Sequence, residues 1–555
     1  MFKASLLLIV FILVSCSSGG FKEREGARNF FKQGKYTEAL AEIQKSTEYQ
    51  EPRTKLLLAL ERGLIFHAEG KYADSIKAFD EAKQISKDLF TVSISKKAEK
   101  TFLSEAMDNY YGEAYELSLI HFYLALNHYL VYQQDPDAKE ARTSLFAARA
   151  EILQWDSLLN TMKGERMGQT VFKNDLLAKV FGAMIHEALD TRADDQIALQ
   201  LYKDAEDVLF KNYNAYKTFN LSAVSFKKDY SKLPTMPLDE VKKNYVAETA
   251  YYRSLKNFLD TKVLGLTKAL RPGEFSQISK QIGASETVVK TVEQRKGKNN
   301  VGVVIENGMI PFKIPERYYF GLGKGAQDGE GAKAVAAIGA TVVTMFAAEK
   351  LGLLPPPNSW NPSSAAIGLQ VTAFAVDQVA ISFELPKIEN QNSSGDLILE
   401  VYDSKGVKFR EEPLYLVNPL GDIAEEAVAE HAAWLYGRLG VRLAGKHLAA
   451  IAASYVTYKT LGGGSEQGDF FARNAAVLQY VGLSKAIEQT EKADTRFWST
   501  LPKDIRLGDL NLPKGSYSFK LKLMDNGEVK ENYDLGVIEV KNPEKKMFIN
   551  FRTKG

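Results

Sequence analysis

Phe31-Lys-Gln-Gly34-Lys-Tyr36-Thr-Glu-Ala39-Leu40-Ala-Glu-Ile43 returns further along the chain as Phe66-His-Ala-Glu-Gly70-Lys-Tyr72-Ala-Asp-Ser75-Ile76-Lys-Ala-Phe79. Glycine, tyrosine, small residue, aliphatic residue and large apolar residue keep register in the two copies. Each copy reads as the end of one helix, a turn and the start of a second. Gly34 and Gly70 supply the backbone freedom for the turn. Ala39 and Ser75 are small enough for paired helices to approach, and Tyr36, Ile43, Tyr72 and Phe79 fill the space between neighbours.

The spacing of the copies matches the tetratricopeptide period of ~34 residues. Asp137-Ala138-Lys-Glu-Ala141 and Ile197-Ala198-Leu199-Gln-Leu-Tyr202 read as starts of further second helices. Tyr115–Tyr132 and Leu176–Leu189 read as apolar first helices. Residues 27 to about 225 therefore read as an α-solenoid of several helix pairs, and such arrays usually bind proteins or peptides. A Pro-bearing linker, Lys232–Pro237, precedes another amphipathic helix over Leu238–Phe258. Charged helical pieces run on to Lys298, which gives a helical-repeat domain over 27–298.

At Asn300 the period changes. Val301–Ile305 is a short buried-strand run, Glu306-Asn307-Gly308 a turn, and Ile310–Pro315 an extended stretch. Val379–Leu385 and Leu397–Tyr402 read as strands. Ser516–Leu523 alternates cleanly, with Val537–Val540 and Met547–Phe551 expected to pair with it. Helices are expected within this half at about 331–352, 422–458 and 474–490. Residues 299–555 thus read as a β-rich domain with helical insertions, resembling a split sandwich. The fold class is α+β.

The 555-residue chain carries a net charge of +2, with 45% hydrophobic and 25% charged residues. No basic excess points to nucleic acid. The one cysteine, Cys16, ends Leu13-Val14-Ser15-Cys16 behind Lys3 and the apolar run Leu6–Val14. That arrangement reads as a secretory signal over 1–15, because the run is too short to span a bilayer. The four residues resemble a bacterial lipobox, which implies cleavage before Cys16 and its acylation. Ser17, by analogy with enterobacterial lipoproteins, favours the outer membrane, and residues 16–26 read as a lipidated tether. With Cys16 acylated, no thiol is left for disulfide, nucleophile or metal.

The order of segments resembles a family of uncharacterised bacterial outer-membrane lipoproteins with a tetratricopeptide-like N-terminal half. Four stretches carry the resemblance: Tyr111–Asn127, Val303–Pro315, the helix with Arg438, Arg442 and Lys446, and Asp494–Pro502 with Leu512–Gly515. It implies architecture and location, with no activity, cofactor or metal to carry over. Segment 331–352 has no place in the family pattern and reads as an insertion.

Candidate chemistry is sparse. Gly321, Gly323 and Gly325 are not followed by a Walker-type Gly-Lys-Ser/Thr, and Ala326 breaks a G-x-G-x-x-G. The histidines form no H-E-x-x-H, and no G-x-S-x-G is present. Arg438, Arg442 and Lys446 follow Glu430 and Trp434 at i,i+4 spacing, forming a basic stripe that is the candidate partner-binding surface. Asp494 and Arg496 are expected to pair internally beneath Trp498. The function expected is a membrane-anchored, non-enzymatic, periplasm-facing scaffold or regulator, peptidoglycan synthesis being one specific version, with a protein partner held by the repeats. An envelope enzyme or glycan-binding protein with its site in the β-domain is the alternative. Partner and oligomeric state are not written in the sequence. The Cys16→Ser protein is expected to lose all incorporation of a fatty-acid probe; equal labelling would end the lipoprotein reading.

Overall fold

The computed structural model describes residues 19–95, 105–139, 141–165, 175–213, 216–219, 249–295, 297–322, 379–388, 395–461, 466–525 and 527–554. Cys16, the signal, the linker Lys232–Pro237, Gly323, Gly325 and segment 331–352 lie outside the described residues. The chain is α+β.

The helical part begins with α1 (Gly19–Lys32) and α2 (Tyr36–Lys45), then α3 (Lys55–Ala68) and α4 (Tyr72–Ser95), each helix packed on the next. The two turns are copies of each other. Gly34 N–H donates to the Phe31 carbonyl and Lys35 N–H to Phe30; Gly70 N–H donates to His67 and Lys71 N–H to Phe66. Gly34 and Gly70 have φ of 75° and 80°, the left-handed region that a side chain strains. Ala39 and Phe79 are buried, while Tyr36 and Tyr72 are half-buried against the same core. Ser75 donates to the Gly63 carbonyl at 2.6 Å, so a small residue there fixes the close approach of α3 and α4.

Residues 16–26 do not form the expected tether throughout. Helix α1 starts at Gly19, and Arg24 is 1% exposed, paired with Glu48 and donating to Thr495 Oγ1 at 3.0 Å. Arg24 and Glu23, which accepts from the Ser46 hydroxyl, are tied to the body, while Glu25 is exposed. The helices continue as α5 (Ala114–Gln134), α6 (Ala141–Glu165), α7 (Leu176–Leu189), α8 (Arg192–Lys211), α9 (Ala250–Leu270), α10 (Phe275–Gln281) and α11 (Glu286–Gln294). The helix expected over Leu238–Phe258 is described only from Ala250 on.

The strands are β1 (Val301–Asn307), β2 (Lys313–Leu322), β3 (Val379–Ile388), β4 (Asp396–Tyr402), β5 (Lys408–Pro413), β6 (Tyr415–Asn418), β7 (Asp504–Leu510), β8 (Gly515–Asp525), β9 (Glu528–Val540) and β10 (Met547–Arg552). Among the described residues they form a four-stranded sheet of order β10-β1-β7-β6, an antiparallel β2–β3 ladder, and a four-stranded sheet of order β5-β4-β8-β9. As expected, β9 pairs with β8. The last strand does not: β10 lies parallel to β1, with Val301 opposite Met547 and Glu306 opposite Arg552. Two-residue alternation cannot report which strand lies alongside.

Strand β1 is buried along its whole length. Val301, Val303 and Ile305 meet Leu397, Leu399, Phe519 and Leu521 of the second sheet, while Val304 joins the helical core with Ile505, Leu507 and Phe548. The first sheet is therefore a middle layer, helices on one face and the second sheet on the other. The boundary at 298/299 marks a change of secondary structure, but packing runs straight across it. Helices α12 (Leu420–Leu461) and α13 (Glu466–Thr490) pack on each other and, near their base, on β3. They extend the helices expected over 422–458 and 474–490.

A β-carbon at Gly70 would meet nothing within 4 Å, so Gly70→Val acts through backbone strain alone. It is expected to destabilise the protein by ~1–3 kcal/mol. Gly265→Ala, also in open space but inside α9, is expected to stabilise by up to ~1 kcal/mol. Thermal or urea unfolding of both variants checks this; equal effects would contradict the assignment of Gly70 to a strained turn.

Candidate functional site

The inner side of the repeats is lined with carboxylates, each of them already engaged by the chain. Glu61 of α3 accepts from Ser499 N–H and Oγ, both at 2.8 Å, from Thr500 Oγ1 at 2.5 Å and from Tyr49 at 3.2 Å. Glu116 of α5 accepts from Trp498 N–H and Glu113 N–H, both at 2.7 Å, and from the Tyr110 hydroxyl. Burial pushes the Glu116 carboxyl up to about 7. Phe79 and Tyr123 stack on each other, centroids 5.5 Å apart, and Trp498 packs against both at 5.6 and 5.7 Å. Asp494 and Arg496 form the expected internal pair, joined at 2.7 Å.

Glu306, at the end of β1, accepts from Tyr123 at 2.8 Å and Arg552 at 3.1 Å, and lies 2.9 Å from His67 Nε2. Burial alone would raise its pKa, but His67, Arg552 and Tyr123 overcome that and hold the carboxyl down at about 2. His67 also meets Asn127 at 2.5 Å and Asn550 at 2.8 Å. This histidine stands in the repeat motif itself, between Phe66 and Gly70. The surface expected to hold a partner thus holds the chain's own β1, β10 and segment 497–500.

The basic stripe is also engaged. Arg442 is buried and doubly bonded to Glu491, with contacts from 2.7 to 3.0 Å; Lys446 reaches Glu491 at 2.7 Å and Thr490 at 2.9 Å. The acidic partner expected for these two is internal, because Glu491 at the end of α13 comes level with them on α12. Nothing of the Arg438 side chain is among the described features. The Glu491 backbone carbonyl further accepts from Glu384 N–H at 3.0 Å, fixing the helix pair to β3.

One open concavity, lined by Gly273, Ser276, Gln277, Lys280 and Gln281, is shallow; a second is a cleft of about 370 Å³ where α7, α8, α9 and α11 meet the lead into β1. Its floor is a buried lattice of charge. Lys262 reaches Glu187 at 2.8 Å and also Asp509; Lys546 reaches Glu187 at 2.7 Å and Asp509 at 3.0 Å. Burial works to raise the Asp509 pKa, yet the two ammonium groups hold it below the usual range. On the wall, Lys298 lies 2.9 Å from both Asp190 and Asp195, and Lys268 caps α11 through the Val292 and Glu293 carbonyls. Gly265 and Thr261 leave the space between them. Sequence reading missed this cleft: its ligating charges are scattered from 187 to 546, and none forms a local motif.

Among the described residues no group of three His, Cys, Asp or Glu side chains is placed to hold a metal ion, and no helix is long and apolar enough to cross a membrane. No family model, curated protein or solved structure matches the chain.

Glu206 of α8 faces Asp260 of α9, which is bonded to Lys256 at 2.6 Å. Burial first, and then the Asp260 charge, raises the Glu206 pKa. Folded Glu206 keeps its proton where unfolded Glu206 has lost it, so folding stability falls as pH rises above ~4.5 toward that raised value. Glu206→Gln mimics the protonated form and does not titrate. The variant's melting temperature minus that of the native protein is expected to grow more positive from pH 5 to pH 8.5 at fixed ionic strength. A difference that does not change with pH would overturn the assignment.

Proposed function

We propose that the protein is an acylated cell-envelope lipoprotein that acts as a non-catalytic scaffold or regulator of an envelope assembly, the control of peptidoglycan synthesis being one version. In this reading the N-terminal helices are a tetratricopeptide-like solenoid, and the two four-stranded sheets form a split sandwich set against it. Cys16 carries the lipid and places the body at the periplasmic side of the outer membrane.

One observation carries the reading. The inner repeat surface is filled by the chain itself, while the two-signed cleft beside Lys262 and Lys298 stays open. Charged walls of both signs suit a polar segment of a protein partner, where complementarity sets specificity and on-rate. The partner is therefore assigned to the cleft, not to the repeat groove and not to Arg442 and Lys446.

The cleft volume also falls in the small-ligand range of ~300–1,000 Å³. That favours one second reading, a glycan-binding or enzymatic site using Glu187 and Asp195. Gly265→Phe fills the cleft from a position with nothing within 4 Å of its β-carbon. Crosslinked co-purification from membranes is expected to lose a protein partner with Gly265→Phe and to be weakened with Lys298→Gln, which keeps a donor for Asp190 and Asp195, while stability stays within ~1 kcal/mol of native. Unchanged recovery rejects the cleft as the scaffold's contact. Retention of peptidoglycan fragments alone, lost in the same variants, supports the second reading instead.

A further inference from the structure

The arm made by α12 and α13 is built inside out for water. Helix α12 has 42 residues, a length of ~63 Å. Leu439, Leu443 and Ile487 are buried toward the base of the arm. Farther out, among the described residues, the buried positions are Ala450 and Ser454 on α12 and Ala472 and Ala476 on α13, beyond Tyr480, which meets His447 at 3.0 Å. Bulky apolar side chains of this outer part point outward. Phe470, Phe471 and Leu478 are 65%, 71% and 73% exposed, and Val456 and Leu461 are 59% and 55% exposed. A helix pair folded by water puts large apolar residues inside and small or polar ones outside. Small residues at the helix contact and bulky apolar residues outside are the arrangement of helices surrounded by lipid.

We propose that the distal part of this arm lies along a membrane surface, its exposed apolar side chains in the apolar layer of one leaflet and the charged residues at its tip, Lys459, Glu466, Asp469 and Arg473, at the level of the headgroups. Three further features fit a lipid surface. No Lys, Arg, Asp or Glu occurs on α12 between Lys446 and Lys459, or on α13 from Asn474 to Ser484. At 1.5 Å per residue these stretches run to ~16–20 Å of uncharged helix. Outward polar side chains bond their own helix: Asn474 Nδ2 donates to the Phe470 carbonyl at 2.8 Å and Thr460 Oγ1 to Val456 at 3.0 Å. Such groups need no water. Finally, α1 is fixed to the base of the arm by the Arg24–Thr495 bond. Helix α1 starts at Gly19, ~8 Å along its axis from Arg24, so the first described residues lie near the base of the arm. The charge lock of Arg442 and Lys446 on Glu491 then sits where the arm leaves the leaflet, holding the pair at a fixed angle to β3.

The reading goes beyond lipidation and is tested without it. The chain from residue 16, carrying Cys16→Ser, is mixed with vesicles of phosphatidylethanolamine and phosphatidylglycerol (3:1) and floated on a density gradient. It is expected to float, and Phe470→Ser/Phe471→Ser/Leu478→Ser is expected to lower the bound fraction by roughly tenfold or more with an unchanged melt. Because the Cys16→Ser chain has no other cysteine, Leu478→Cys takes a single polarity-sensitive label. Its emission is expected to shift to the blue on vesicle addition. Absence of flotation together with an unshifted label overturns the proposal. So does an arm that is covered by a second copy: a vesicle-free chain that sediments as an oligomer and becomes monomeric in the triple variant. If the triple variant fails to fold, the label alone decides, shift supporting and no shift overturning.

Discussion

A buried carboxylate that lacks donors is among the most expensive features a fold can contain. This protein buries three carboxylates, Glu61, Glu116 and Glu306, between its helices and its first sheet. Beside local donors, each depends on groups from distant chain: Ser499 and Thr500, Trp498 N–H, and Arg552 with His67 and Tyr123. Loss of one partner would leave a buried charge, at ~3–5 kcal/mol. That requirement fixes where the sheet lies on the helices, since a slide of one residue along β1 would turn Glu306 away from His67 and into the apolar layer behind. The alternating burial of β1 then sets the second sheet, and Lys262, Lys546, Glu187 and Asp509 fix the far end of the seam.

The seam also decides which surfaces are open. The helical face beside the two glycine turns is covered by Trp498, which packs against the stacked rings of Phe79 and Tyr123. Open surface lies instead at the cleft of α7, α8, α9 and α11 and on the arm that leaves the seam past Glu491. The raised pKa values of Glu61 and Glu116 belong to the same enclosure. They reflect burial among hydrogen-bond donors, not groups poised over a cavity for proton transfer.

Local patterns were readable and distant ones were not. The two glycine turns, the change of period at Asn300, the alternating strand Ser516–Leu523 and the Asp494–Arg496 pair all follow from residues a few positions apart. The misreadings share one cause. Glu23 and Arg24 look solvated in a window of ten residues, because Ser46, Glu48 and Thr495 are outside it. Arg442 and Lys446 look like a stripe awaiting an acid, because Glu491 is on the next helix. Met547–Phe551 looks like a neighbour of the strands just before it, although its hydrogen bonds go to β1. For the site, the resemblance pointed to Asp494–Pro502 as a distinctive stretch, and that stretch proved to be the plug of the repeat groove. The cleft left no local trace, since spacing within one helix says nothing about which helices meet.

The parallel pairing of β1 with β10 has a consequence for how the chain is made. Met547–Arg552 leaves the ribosome after every helix and strand it packs on, and Glu306 acquires Arg552 only then. Earlier, until Trp498–Thr500 emerge, the helices expose the rings of Phe79 and Tyr123, with Glu61 and Glu116 short of donors beside them. Contacts closed over more than four hundred residues are slow to form. A nascent chain therefore passes through a long interval as a half-built layer with a sticky face. Met547–Arg552 is the strand that closes this layer on β1, so loss of it would strand the helices packed there, not merely trim an edge.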